Sequence, residues 1–100
     1  MVELIPTAYA QSAEHFLELI TRLKQHRPNW NISDMGGLNT RKGSLHFHIQ
    51  SANPGETGTL EMTFDPKMEG ELELKIASNR QGNYADILKT EVLKLIHTYD

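Results

Sequence analysis

The stretch RKGSLHFHIQ, residues 41–50, carries two imidazoles, His46 and His48, separated by one phenylalanine. On an extended strand, residues two apart point the same way, about 7 Å apart at the backbone. Two such rings can converge on one ion. Catalytic zinc normally takes three protein ligands, and Glu61 is the third candidate. Against this, the strand register that the alternation dictates puts Lys75 beside Glu61, and an ammonium next to a cation site is repulsive. A row of cross-strand polar pairs, His48–Glu61–Lys75, accounts for the same residues without metal. The expectation is therefore no metal ligand and no cofactor, with a weak metal site at His46 and His48 as the alternative. His15, His26 and His97 fall on helical segments with no partner at ligand spacing.

The segment GGLNTRKGS, residues 36–44, offers a second chemistry. Glycines let backbone amides approach an anion, and Arg41 and Lys42 add positive charge. The segment joins two strands and lacks both the G-x-x-x-x-G-K-[ST] spacing and a following helix. A flexible hairpin loop is the first expectation and an anion cradle with Thr40, Arg41 and Lys42 at its tip the second. Ser78, Asn79 and Arg80 form another polar junction further along.

Other chemistries find little support. With no cysteine there is no disulfide, thiolate nucleophile or thiolate metal site. No G-x-S-x-G elbow is present, so catalytic residues are expected to be absent. Glu71 and Glu73 read as solubility charges on a strand. Nucleic-acid binding needs a dense basic surface, whereas this chain has net charge −3 and few aromatics on its polar strand positions.

These residues must be held by patterned elements. Residues 7–27 place Ala13, Phe16, Leu17, Ile20 and Leu23 at helical spacing, with Pro6-Thr7 or Ser12 as start and Pro28 as stop. Residues 30–35 read as a short strand with Trp30 and Ile32 inward. Leu45, Phe47 and Ile49 then alternate with polar residues, as do Leu60, Met62 and Phe64, and Leu72, Leu74 and Ile76. Asn83 is the expected cap of a last helix bearing Tyr84, Leu88, Val92, Leu95, Ile96 and Tyr99 on one stripe.

Alternation fixes register, because a one-residue slip would bury polar groups. Leu45 should oppose Phe64, Phe47 oppose Met62, and Ile49 oppose Leu60, which on the other face sets His46 opposite Thr63 and His48 opposite Glu61. Next, Phe64 should oppose Leu72, Met62 oppose Leu74, Leu60 oppose Ile76, and Glu61 oppose Lys75. A shifted register that set Glu61 against Glu73 would be repulsive. The fold class is thus α+β: helix, four-stranded antiparallel meander, helix, with both helices on the apolar sheet face and the polar face wet. The 30–35 and 71–76 strands should be the edges.

One domain spanning residues 1–100 is the expectation from length. No apolar run is long enough for a membrane span, the AYA at 8–10 lacks the flanks of a signal peptide, and a cytoplasmic protein is the simplest reading. Basic residues concentrate between Arg22 and Lys42, and acidic ones between Glu56 and Glu73. Such polarity can orient a protein partner. The functional expectation is a non-enzymatic protein-binding domain, inhibitor-, immunity- or adaptor-like, working through that polarised surface. Trp30, Met35 and Leu38 are a candidate apolar contact patch, although a single tryptophan is more often core. The alternative is a small-ligand or anion binder using the GGLNTRKGS loop. A homodimer through an edge strand or the helix layer stays open.

Overall fold

The computed structural model describes residues 2–100. It holds five strands and two long helices: β1 (Val2–Pro6), α1 (Ala13–His26), β2 (Trp30–Asp34), β3 (Leu45–Ser51), β4 (Leu60–Phe64), β5 (Glu71–Ile76) and α2 (Ala85–Tyr99). The strands form one antiparallel sheet in the order β1-β5-β4-β3-β2. Among the described residues no helix is long and apolar enough to cross a membrane.

The register follows the alternation. Leu45 faces Phe64, Phe47 faces Met62 and Ile49 faces Leu60. Leu60 faces Ile76, Glu61 faces Lys75 and Met62 faces Leu74. Apolar residues of β3, β4 and β5 therefore share one face, where they meet Phe16, Leu19, Ile20 and Leu23 of α1 and Leu88, Val92 and Ile96 of α2. Phe16 sits at the centre, edge-on to Phe47 at 5.6 Å and stacked with Phe64 at 5.8 Å between ring centroids. Aromatic pairs at these separations add to plain burial. Trp30 is part of this core rather than a surface patch.

Several expectations need correction. The sheet has five strands, not four, and is not a simple meander. The first strand, VELIP, pairs with the last, Val2 opposite Lys75 and Pro6 opposite Glu71. Its partner is some seventy residues away, and its apolar residues do not keep a two-residue period, so nothing local marks it. Consequently β5 is interior, and the edges are β1 and β2. Pro6 lacks an amide hydrogen, which an edge strand tolerates.

The first helix is also shorter than residues 7–27. Residues 8–10 form a separate 3₁₀ turn capped by Thr7, which buries Tyr9 and Ala10. Ser12, extended at φ −158°, then caps α1 by accepting the His15 amide. Asn83 does not cap α2: Tyr84 holds the cap position, with no side-chain hydrogen bond there. The Asn83 carboxamide instead accepts from the Thr57 amide and donates to the Gly55 carbonyl. That ties residues 55–59 to residues 77–84, as do Thr59 N–H to Arg80 and Tyr84 N–H to Thr57. A Cβ on Gly82 would lie 2.2 Å from the Thr57 carbonyl oxygen, and Gly82 has φ +57°, so this junction requires glycine.

Among the described residues the other sheet face carries no helix, yet it is not uniformly wet. His46, Thr59 and Thr63 are all buried there. The segment between β2 and β3 lies over this face instead of extending from it as a flexible hairpin. Leu38 N–H donates to Ser44 Oγ, Arg41 N–H to the Leu38 carbonyl, and Ser44 N–H to the Arg41 carbonyl. Gly37 passes so close that a Cβ there would sit 2.8 Å from the Ser44 carbonyl oxygen.

Candidate metal centre

Strand β3 sends His46 and His48 to the open face, and β4 sends Glu61 and Thr63 to meet them, because His46 opposes Thr63 and His48 opposes Glu61. The side chains then converge. His46 Nε2 lies 3.2 Å from His48 Nε2 and 3.4 Å from Glu61 Oε1. One ligand atom from each of the three residues falls within 4.8 Å of the others.

These separations have a physical meaning. A tetrahedral ion holding nitrogen and oxygen donors at about 2.0–2.1 Å keeps neighbouring donors about 3.3 Å apart. The two short edges at His46 match that spacing. The second nitrogen of His46 is also committed: Nδ1 lies 2.8 Å from Thr63 Oγ1. With Nδ1–H donating to the hydroxyl, the Nε2 lone pair faces His48 and Glu61. Metal-binding histidines are oriented in this way by a partner on the far nitrogen. Burial, and after it the neighbouring His48, push the His46 imidazole below its ordinary value, while Glu61 and Glu73 pull in the opposite direction. The ring is therefore neutral near pH 7, as a metal ligand must be.

Lys75 faces Glu61 in the register. Yet among the described residues its ammonium makes no ion pair, and the Glu61 carboxylate is turned toward His46. The expected His48–Glu61–Lys75 row is therefore present as a backbone register but not as a chain of side-chain contacts.

The residues of the GGLNTRKGS segment separate. Arg41 reaches across the open face, with Nε donating to Asp65 at 2.8 Å and one terminal nitrogen to Glu73 at 2.5 Å. Asp65 also accepts the Lys67 amide. That amide and then Arg41 hold its carboxyl below the usual carboxylate range, and Asp65 most of all raises the guanidinium. Arg41 is thus a clamp that ties the loop to the turn after β4 and to β5. Thr40 and Lys42 are exposed and take no part. Leu38 is half-buried and lines a cavity of about 170 Å³ with Val2, Arg41, His46, Glu61, Thr63, Glu73 and Lys75. Met35, just past β2, is exposed.

Sequence reasoning places His46, His48 and Glu61 on one face and sets Thr63 opposite His46, but it assigns no role to Thr63 or to Asp65. A threonine opposite a histidine in the register is the available signal for the first. The second depends on a loop conformation that no periodicity encodes.

Of the remaining histidines, His15 Nδ1 lies 2.6 Å from Ser12 Oγ, and His26 Nδ1 lies 2.8 Å from the Tyr99 hydroxyl. Both are accounted for by local structure. Compared with known proteins, the chain matches no family model, no curated protein and no solved structure.

Proposed function

We propose that this chain is a small binding domain that takes up one divalent transition-metal ion, of the zinc class, through His46 Nε2, His48 Nε2 and the Glu61 carboxylate. The supporting observation is the pair of donor separations at His46, 3.2 and 3.4 Å, with Thr63 behind the ring. Imidazole and carboxylate donors suit zinc, cobalt, nickel and copper better than the hard calcium and magnesium ions, which prefer all-oxygen sites.

Titration calorimetry with Zn²⁺ in a non-chelating buffer tests this. The expected result is one ion per chain, with affinity reduced about 100-fold or more in His48→Ala and clearly reduced in Glu61→Gln. Zinc uptake that is absent, or that survives unaltered in His48→Ala, removes the proposal.

A second reading is a non-enzymatic domain that binds another protein. It draws on the exposed Val2, Leu4 and Met35 near the margins of the open face. Charge polarity supports it less than the sequence alone suggests. Arg41 is paired internally with Asp65 and Glu73, Arg27 with Glu91, and Arg22 lies over the Tyr9 and Tyr99 rings.

A further inference from the structure

The cavity beside the three donors has an unusual charge balance. Four ionic side chains line it: Arg41, Glu61, Glu73 and Lys75. Arg41 and Glu73 neutralise each other directly. Glu61 points to His46. Lys75 is left, half-buried and without an ion-pair partner among the described residues. The same cavity borders His46 and Glu61, two of the three donors. A tetrahedral ion held by three protein donors keeps one coordination position for an outside ligand, and this cavity is where such a ligand has room.

Resting on the metal reading above, we propose that the site binds its metal together with a small oxygen-donor anion, one oxygen on the ion and the charge balanced by Lys75. About 170 Å³ has room for a phosphate or a short carboxylate. The half-buried Leu38 gives the cavity an apolar wall, which lowers the local screening of the half-buried Lys75 charge and strengthens its attraction for an anion. Lys75 otherwise stands as an unpaired repulsive charge near a bound cation, so a bridging anion relieves that unfavourable pairing.

Binding of two ligands to coupled positions is reciprocal: whatever factor the anion adds to metal affinity, the metal adds to anion affinity. The test uses Co²⁺, whose visible absorption reports its coordination shell, titrated into the full chain in chloride-free buffer, alone and with millimolar phosphate or lactate. Competing complexation of Co²⁺ by each anion is measured in protein-free solution and subtracted. The expected result is Co²⁺ affinity raised about 5-fold or more by at least one anion, with a changed spectrum. Enhancement by phosphate alone or by lactate alone identifies which oxyanion the cavity takes. In Lys75→Gln, affinity for Co²⁺ alone should rise modestly while the enhancement disappears. Lys75→Arg keeps the positive charge and should keep most of the enhancement. Co²⁺ uptake with no enhancement by either anion, or enhancement that persists in Lys75→Gln, overturns this inference alone. Absence of Co²⁺ uptake by the unaltered chain overturns the metal reading and this one with it.

Discussion

The two faces of the sheet solve different problems with the same strands. On the helix-covered face, Phe16, Met62, Leu72, Leu74 and Leu88 are wholly removed from solvent and pack together in one apolar cluster. Its stability comes from burial, roughly additive in area, and from close packing. On the open face, His46 and Thr63 are nearly as buried, but they are polar, and their side chains are satisfied by each other, by His48 and by Glu61. A buried polar group stabilises little when paired and destabilises when left alone. The first face could change one apolar side chain for another of equal volume with small loss. The second has specific atoms in specific places, which is the mark of a site rather than a core.

The largest effect that separates the faces is expected from Phe16→Ala, which empties the centre of the covered face. Loss of a buried phenylalanine typically costs about 3–5 kcal/mol, readable as a fall in the urea midpoint. A loss below about 1 kcal/mol would mean that the covered face is not packed as described.

On the open face, Thr63→Val keeps the shape and removes the hydroxyl. It leaves His46 Nδ1 without its partner. Stability should fall by about 1–3 kcal/mol, and Zn²⁺ affinity by about 10- to 100-fold. Equal Zn²⁺ affinity in both proteins would mean that Thr63 does not orient the ring.

Asp65→Asn tests the loop clamp. The carboxyl is held below its ordinary range in the folded chain. Its contribution is therefore fully present above the unfolded value of about 4 and is lost as pH falls through the folded value. The substitution should lower stability by about 1 kcal/mol near pH 7, discounted because Arg41 is partly exposed. The difference between the two proteins in thermal melts should shrink below about pH 4. A gap that grows on acidification would contradict the assigned direction. The smallest effect belongs to Lys42→Ala. Lys42 is exposed and makes no ion pair among the described residues, so stability should stay within about 0.5 kcal/mol.

The same contrast explains what could be read in advance. The covered face is an alternation problem, and Leu45, Phe47 and Ile49 find their partners on β4 as the pattern requires. β1 escapes because Ile5 breaks the alternation begun by Val2 and Leu4 and its partner strand lies some seventy residues along the chain. Asn83 looks like a helix cap because the residue type is right, yet it serves a loop-to-loop contact that only tertiary structure creates. At the site, the alternation puts His46, His48, Glu61 and Lys75 on one face, but side-chain torsions decide which of them meet. Glu61 turns toward an imidazole and not toward the lysine opposite. Arg41 looks like an anion-binding tip because a loop's path across a sheet cannot be inferred from its glycines, and Asp65 and Glu73 lie far along the chain from it.

The central claim is that the imidazoles of His46 and His48 share one ion. Observing the histidine ring nitrogens by NMR in ¹⁵N-labelled protein, during titration with Zn²⁺, addresses it most directly. Nε2 of His46 and of His48 should move together, saturating at one equivalent, while the rings of His15, His26 and His97 stay where they were. Movement confined to those three helical histidines, or stationary resonances at residues 46 and 48, would contradict it.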